Sequence, residues 1–212
     1  MLEVTEIYKS VQGESTYIGL PCVFVRLTGC NLRCVWCDTT HAFHNGENLS
    51  IDQIVDQVKS YGINLVEITG GEPLLQKEVF PLMESLLINK FQVMLETSGS
   101  LSIENVPVEV IKIIDLKCPG SGEENKNYWD NLNYLAPTDE IKFVIADRID
   151  YEWSWSVLKK HGLAKKNHIL FSPVFEKLDL KELTKWILED NLPVRLQVQL
   201  HKHIWDKNTM GV

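Results

Sequence analysis

The chain has 212 residues, 44% of them apolar, and no Pro-, Ser- or Gly-rich linker divides it, so we expect a single domain over residues 1–212. Its net charge of −8 excludes a broad phosphate-binding surface, because nucleic-acid affinity depends largely on Lys and Arg. The first residues do not resemble a signal peptide and no apolar run reaches the roughly 18 residues that span a bilayer, so we expect a cytoplasmic protein with no membrane or nucleic-acid partner.

Short β-branched runs alternate with helical stretches along the chain. An early strand near residues 3–8 is expected to add an edge. Ser50 with Gln53 three residues later forms a capping-box pattern that opens a helix, and Asp179 with Glu182 repeats it. The later β-branched runs lie at 23–27, 65–69, 91–97, 110–116, 140–145, 168–172 and 194–200.

This alternation predicts an α/β fold built on a parallel sheet. Roughly six βα units are too few for the eight of a complete barrel. We therefore expect an open, partial (β/α) barrel of about six parallel strands, with its active site at the carboxyl ends of the strands.

The stretch GCNLRCVWC holds Cys30, Cys34 and Cys37 in the spacing C-x3-C-x2-C. In a reducing compartment, clustered thiols serve metals or redox chemistry more often than disulfides. Structural zinc sites usually have four protein ligands, and His41 or His44 could supply the fourth. A [4Fe–4S] cluster held by three cysteines instead leaves one iron free to bind an outside molecule.

Gly70, Gly71, Glu72 and Pro73 follow the strand at 65–69 directly. A glycine pair at this point lets backbone groups approach a neighbour closely, because no Cβ intervenes. Taken alone, the motif is weak evidence for a ligand-binding role. Its position about one βα unit after the cysteines strengthens that evidence.

Together these motifs resemble the radical S-adenosylmethionine superfamily, whose signature C-x3-C-x-(aromatic)-C is matched by Cys30, Cys34, Trp36 and Cys37. The resemblance implies a [4Fe–4S] cluster whose fourth iron is completed by the amino and carboxylate groups of S-adenosylmethionine. The reduced cluster would then cleave that molecule to methionine and a 5′-deoxyadenosyl radical.

Five further segments resemble the 7-carboxy-7-deazaguanine synthase family nearly end to end: Gln12-Gly13-Glu14, the Arg26 strand, Cys37-Asp38-Thr39, Glu96-Thr97-Ser98-Gly99 and Gln199-Leu200-His201-Lys202. The family converts 6-carboxy-5,6,7,8-tetrahydropterin to 7-carboxy-7-deazaguanine, with loss of ammonia. The resemblance implies S-adenosylmethionine and Mg²⁺ as cofactors, a homodimer, and an electron donor such as flavodoxin or ferredoxin.

The resemblance also implies roles for individual residues. Cys30, Cys34 and Cys37 would hold the cluster and Thr39 the Mg²⁺, with Asp38 as a competing ligand. The implied substrate contacts are Gln12, Gly13, Glu14, Arg26, Thr97 and His201. The implied S-adenosylmethionine contacts are Trp36, Cys37, Asp38, Gly70, Gly71, Glu72, Gly99, Lys117, Cys118, Pro119, Ser172, Pro173, Val174 and Phe175.

Side-chain chemistry agrees with several of these roles. Along VFVRLT, alternation places Phe24, Arg26 and Thr28 on one face of the strand. The Arg26 fork suits a substrate carboxylate, although an interior ion pair with a glutamate is the competing interpretation. The Gln12 amide can donate and accept hydrogen bonds, and the Glu14 carboxylate can accept them. Both groups fit the amino-pyrimidinone edge of a pterin.

Some features depart from the family pattern or lie outside it. Gly120 stands where the family commonly has serine, and the chain continues through IWDKNTMGV after the QLHK segment, so the role of this end stays open. Cys22 and Cys118 lack cluster spacing, and we expect both thiols to pack in the core. The aromatic residues of YEWSW could form a stacking platform for bases, but core or dimer packing is favoured there.

Two alternatives stay open on the sequence. A glycyl-radical-enzyme activase shares the cluster and the small size but acts on a protein, and it has no use for the QGE segment or Arg26. A non-catalytic iron–sulfur or zinc-binding protein would bind metal without cleaving S-adenosylmethionine.

Overall fold

Nine strands form one sheet in the computed structural model, which describes residues 1–206 and 209–211. The strands are β1 (Leu2–Val11), β2 (Pro21–Leu27), β3 (Glu47–Leu49), β4 (Leu65–Gly70), β5 (Gln92–Thr97), β6 (Ile111–Asp115), β7 (Glu140–Ile145), β8 (His168–Pro173) and β9 (Arg195–Leu196). The helices are α1 (Ile51–Ser60), α2 (Val79–Ile88), α3 (Arg148–His161), α4 (Leu180–Glu189) and α5 (His201–Ile204). Within the described part of the chain, none of the helices has the length and apolarity to span a membrane.

The sheet is open and mostly parallel, with the order β3-β1-β2-β4-β5-β6-β7-β8-β9. Strands β2 and β4 to β9 pair in parallel in chain order, while β1 is antiparallel to both β2 and β3. The predicted α/β class and the open, partial barrel are confirmed. Strand β9 contains only Arg195 and Leu196. The longer parallel strands are therefore the six strands β2 and β4 to β8, which agrees with the expected number of about six.

Two strand predictions differ from the structure in detail. The early strand is present as β1, but the short β3 covers its outer side and so takes the edge position. The run at 194–200 forms a strand only at β9. Beyond it the chain turns towards the N-terminal loop, where the Leu200 amide donates to the Gly13 carbonyl at 2.9 Å.

Both predicted helix starts are confirmed. The Ser50 hydroxyl accepts from the Gln53 amide at 3.2 Å, and the Gln53 side chain accepts from the Ser50 amide at 2.8 Å, which completes a capping box on α1. At α4 the Asp179 carboxylate accepts from the Lys181 amide at 2.7 Å, so Asp179 caps the helix without a reciprocal bond from Glu182.

The alternation of each strand separates a helix-covered core from the inside of the barrel. On β2, Val23, Val25 and Leu27 belong to the main core, while Phe24 and Arg26 face the inside. Apolar side chains, among them Cys22, Leu65 and Met94, fill the inner face at the amino ends of the strands. Polar and charged residues occupy the inner face nearer the carboxyl ends, which leaves a polar cavity there.

The aromatic run of α3 packs in the core. Tyr151 is fully buried, and its hydroxyl donates to the Trp186 carbonyl at 2.9 Å and to the Asp190 carboxylate at 2.7 Å. Trp153 and Trp155 are partly buried against the same core. These residues support the packing role rather than a base-stacking platform.

Candidate active site

A cavity of about 640 Å³ opens at the carboxyl ends of the parallel strands. Most residues with predicted roles line it, although they come from separate segments of the chain. These are Gln12, Gly13, Glu14, Arg26, Cys30, Cys34, Trp36, Cys37, Asp38, Thr39, Gly70, Gly71, Thr97, Lys117, Val174, Phe175 and His201. The cavity therefore joins the cysteine loop to the polar inside of the barrel.

The predicted residues outside the cavity wall are Glu72, Gly99, Cys118, Pro119, Ser172 and Pro173. Cys118 has only 1% of its surface exposed and its thiol lies 3.4 Å from the Ser154 hydroxyl, as expected for a packing residue. Ser172 is buried within β8. These six residues do not line the cavity, and their roles in binding S-adenosylmethionine stay predictions.

Backbone and side-chain hydrogen bonds shape the cysteine loop between β2 and β3. The Val35 amide donates to the Ser121 carbonyl at 3.0 Å, and the Cys37 amide donates to the Cys34 carbonyl at 3.2 Å. The Arg33 amide donates to the Glu123 carboxylate at 2.6 Å. Ser121 and Glu123, which are distant from the cysteines in the sequence, thus help to hold the cysteine loop in shape.

The three thiols suit an iron–sulfur cluster. Cys30, Cys34 and Cys37 are partly exposed, face the same cavity and lie close enough to influence one another electrostatically. No three His, Cys, Asp or Glu side chains of the described residues converge as a single metal ion requires. A [4Fe–4S] cluster needs a different arrangement of ligands, because each thiolate binds a separate iron. Three thiolates therefore leave one iron open.

Gly70 and Gly71 lie so close to the cysteine loop and the end of β2 that a larger residue would not fit. A Cβ on Gly71 would lie 2.2 Å from the Gly29 carbonyl oxygen and 2.7 Å from the Cys30 Cβ. Gly70 has φ +147°, and a Cβ there would lie 2.1 Å from the Leu27 carbonyl oxygen. The Glu72 amide then donates to the Gly29 carbonyl at 2.8 Å. The pair therefore lets the end of β4 press against the loop that carries the first cysteine.

Glu72 is an internal anchor. Its side chain is fully buried, and its carboxylate accepts from the Thr97 hydroxyl at 2.9 Å, the Ser98 amide at 2.8 Å and the Leu74 amide at 3.0 Å. The Ser98 hydroxyl donates to it as well. Backbone and hydroxyl donors thus occupy this carboxylate within the protein, and its contact with S-adenosylmethionine stays a prediction. The Thr97 hydroxyl is likewise committed to Glu72.

Arg26 lies on the inner face of β2, as predicted, and forms the interior ion pair that was the competing interpretation. Its Nε donates to Glu6 at 2.8 Å and its Nη2 donates to the Tyr8 hydroxyl at 2.8 Å. Burial raises the pKa of Tyr8 to about 12, against the opposing effect of Arg26, so Tyr8 stays neutral. The Nη1 atom makes no hydrogen bond to the described residues, and Arg26 lines the cavity.

Charged residues of the inner barrel face were missed by the sequence analysis as site residues. They are Glu67 on β4, Glu96 on β5, Asp115 on β6 and Lys142 on β7, and all four line the cavity. The available signal was a charged residue inside an apolar strand, since such side chains are rarely buried unless they are paired. The alternation of each strand would then have placed them on the inner face.

At the rim, Asp38 connects the cysteine loop to the C-terminal region. Its carboxylate accepts from Lys202 at 2.6 Å and from the Thr39 hydroxyl at 3.0 Å. Burial raises the pKa of Asp38, but the Lys202 ammonium and the hydrogen bonds from Lys202, Gln199 and Thr39 together outweigh this effect, so the pKa falls below its usual range. Thr39 and Asp38, whose oxygens are the predicted ligands of Mg²⁺, are thus adjacent at the cavity wall.

His201 begins α5 and approaches the N-terminal loop very closely. A Cβ on Gly13 would lie 2.2 Å from its Nδ1, so only glycine fits there. Burial lowers the pKa of His201, while Glu14 acts in the opposite direction. Of the described residues beyond α5, Thr209, Met210 and Gly211 also line the cavity. The C-terminal region thus forms part of the cavity wall.

Comparison with known proteins gives the following similarities. The model of the Radical SAM superfamily matches residues 24–115. A curated protein named 7-carboxy-7-deazaguanine synthase from Koribacter versatilis is 49% identical over 100% of both chains, and one of the same name from Chlorobaculum tepidum is 44% identical over 100% of this chain and 97% of its own. The crystal structure of QueE from Escherichia coli has a TM-score of 0.78 at 24% identity and covers 94% of each chain, which supports the fold.

Proposed function

The chain belongs to the 7-carboxy-7-deazaguanine synthase family of radical S-adenosylmethionine enzymes, and we propose that it converts 6-carboxy-5,6,7,8-tetrahydropterin to 7-carboxy-7-deazaguanine with ring contraction and loss of ammonia. One observation carries this proposal: a single cavity joins the three cysteines to a polar barrel interior containing Gln12, Glu14 and Arg26. A protein that only stores metal has no need of such an interior. The full-length similarity likewise favours a synthase over an activase.

The cofactor residues fit this chemistry. Cys30, Cys34 and Cys37 would hold a [4Fe–4S] cluster, which together with S-adenosylmethionine supplies a 5′-deoxyadenosyl radical when both are bound. Gly70, Gly71, Lys117, Val174 and Phe175 line the cavity and would bind S-adenosylmethionine. Thr39 would bind Mg²⁺, with Asp38 beside it as a further oxygen ligand.

The chain's own residues would position the pterin. Glu14 can accept from the amino group and ring N–H donors of the pterin, since a carboxylate is an acceptor. Arg26 can direct its free Nη1 at the pterin carboxylate while Glu6 and Tyr8 fix the guanidinium plane. His201 would cover the substrate from the C-terminal side. Such positioning can contribute several kcal/mol to lowering a barrier.

Gln12 has a more limited role than the sequence suggested. Its side-chain oxygen accepts from the Glu14 amide at 2.9 Å, and its nitrogen donates to Glu67. Both polar atoms of the amide are therefore engaged within the protein. We propose that Gln12 mainly fixes the loop that presents Glu14.

Membership of the family supports a proposal about partners and location. We propose that the protein works in the cytoplasm as a homodimer of single-domain chains and that a small electron-transfer protein, flavodoxin or ferredoxin, reduces the cluster. Sedimentation analysis of the cluster-loaded protein tests the dimer, and reduction by purified flavodoxin or ferredoxin tests the donor.

Isotope transfer tests the activity. Pterin carrying deuterium at C6 is incubated anaerobically with the cluster-loaded protein, S-adenosylmethionine, Mg²⁺ and a reductant. We expect mass spectrometry to find the label in recovered S-adenosylmethionine and in the ring-contracted product. Cleavage of S-adenosylmethionine without label transfer and without that product would refute the synthase activity while leaving the radical chemistry in place.

A further inference from the structure

Lys142 lies inside the barrel, on the inner face of β7, where it contacts two carboxylates from different parts of the chain. Its Nζ lies 2.7 Å from Glu96 Oε1 on β5 and also pairs with Glu14 in the N-terminal loop. The Lys142 side chain is 7% exposed and lines the cavity. Nothing in the family motifs of the sequence singles out this lysine.

Each carboxylate keeps a further hydrogen bond besides the one with Lys142. Glu14 Oε1 accepts from the Gln199 side chain at 2.9 Å, and Glu96 Oε2 accepts from the Thr69 hydroxyl at 3.4 Å. Glu14 and Glu96 thus present acceptor oxygens at fixed positions, with Lys142 between them. Without that cation, two partly buried carboxylates would face each other uncompensated, which favours protonation of one of them.

The chemistry of the proposed substrate demands acceptors at this place. A tetrahydropterin carries an exocyclic amino group and several ring N–H donors, whereas a protonated carboxyl presents a donor of its own and loses acceptor capacity. An ionised carboxylate accepts more strongly than a neutral group. A substrate rich in donors therefore binds best when Glu14 and Glu96 are both anions.

We propose that Lys142 is a positioning residue for the pterin, because its ammonium holds Glu14 and Glu96 as a fixed pair of anionic acceptors towards the N–H groups of the ring. This inference rests on the proposed function and assigns to Lys142 no contact with the reacting atoms. It predicts that loss of the ammonium weakens pterin binding without affecting the cluster.

The electrostatic surroundings agree with this role. Burial raises the pKa of Glu96, but the nearby cations, Lys142 first and then Lys117 and Arg26, together outweigh this effect, so the pKa of Glu96 falls below its usual value. Burial instead raises the pKa of Glu67, and the nearby Glu96 and Glu14 raise it further. The charged or titratable groups that face Lys142 or its partners across the cavity are Glu14, Arg26, Glu67, Glu96, Asp115, Lys117 and His201.

The test compares Lys142→Met and Lys142→Arg with the wild type as cluster-loaded proteins. In Lys142→Met we expect the pterin KM to rise roughly tenfold or more, since a buried charge pair loses one partner. The acid limb of kcat/KM should move to higher pH, because the pKa of Glu96 is no longer held down. Lys142→Arg should restore most of the pterin affinity and the wild-type acid limb, because it keeps the charge.

Lys112→Met is the matched control. Lys112 is 2% exposed and pairs with Asp139 at 3.0 Å, but it lies outside the cavity wall. We expect this variant to lose thermal stability while its pterin KM and pH profile stay unchanged. A merely structural role for Lys142 would make the two methionine variants behave alike.

The outcomes separate this inference from the proposed function. Failure of the wild type to convert the pterin refutes the function itself. Conversion by the wild type with an unchanged pterin KM and acid limb in Lys142→Met overturns the role of Lys142. If that variant loses its iron, Lys142→Gln, which keeps two N–H donors without the charge, takes its place. The same rise in KM and shift of the acid limb are expected, and their absence overturns the inference.

Discussion

Replacing Gly71 by alanine tests whether the glycine pair exists to seat the cysteine loop. The added Cβ would lie 2.2 Å from the Gly29 carbonyl oxygen and 2.7 Å from the Cys30 Cβ. Neither neighbour is the flexible end of a side chain, so the loop or the end of β4 must move. Overpacking of this kind costs about 1–3 kcal/mol.

For a chain of this size, that loss corresponds to a fall in Tm of about 2–12 °C, at about 2–4 °C per kcal/mol. The larger effect should be on the cluster, because the displaced residue adjoins the first cysteine. We expect Gly71→Ala, reconstituted anaerobically, to hold clearly less iron than the wild type. Iron and sulfide analysis, the visible absorption of the cluster and thermal unfolding measure the two effects separately.

Gly62→Ala provides the control for destabilisation alone. Gly62 has φ +67°, and a Cβ there would meet no heavy atom within 4 Å, so the substitution strains the backbone without crowding a neighbour. A left-handed alanine costs about 1–2 kcal/mol, which is comparable. This variant should lose stability and keep its iron. Full iron content in Gly71→Ala would refute the steric role of the glycine pair.

Three further predictions concern the cluster, the substrate and the pH dependence of stability. Cys30→Ala, Cys34→Ala and Cys37→Ala should each abolish the cluster, whereas Cys22→Ala and Cys118→Ala, at buried packing positions, should keep it, as iron analysis will show. Arg26→Lys keeps the charge but loses the fork, so pterin turnover should fall while S-adenosylmethionine binding survives. Because burial raises the pKa of Glu67 in the folded state, the free energy of unfolding should decrease as pH rises from the ordinary glutamate pKa, and Glu67→Gln should reduce that slope in denaturant titrations.

Each of these predictions has a clear contrary result. A stable, colourless zinc protein after anaerobic preparation would contradict the cluster. Unchanged turnover in Arg26→Lys would remove the guanidinium from the substrate site. Equal pH slopes for the wild type and Glu67→Gln would show that Glu67 is ionised in the folded protein.

The fold was predictable because its signals are local. Alternating apolar runs indicated the strands, and the capping box at Ser50 indicated the start of α1, which the structure confirms. The inner position of Arg26 also followed from strand alternation alone. The ion pair between Arg26 and Glu6 could not be predicted in this way. It depends on the antiparallel register of β1 against β2, which places these two residues opposite each other.

The missed part of the site depends on contacts between distant segments. Lys142 is a charged residue in a mostly apolar strand, and only the folded arrangement of the chain brings it to Glu14 and Glu96. The burial of Glu72 could not be predicted for the same reason, since groups that donate hydrogen bonds to its carboxylate lie at the end of β5. Sequence spacing identified the residues next to the cysteines well, but it could not show which charges neutralise each other.

The hydrogen bonds that shape the cysteine loop have a practical consequence for repair. Ser121 and Glu123 hold the loop through its backbone amides, and these bonds involve no thiol. We therefore expect the loop to keep its backbone shape when iron is lost, with the three cysteines still at the cavity wall. We expect iron and sulfide, supplied anaerobically to the folded protein with its thiols reduced, to restore the cluster without a step of unfolding and refolding.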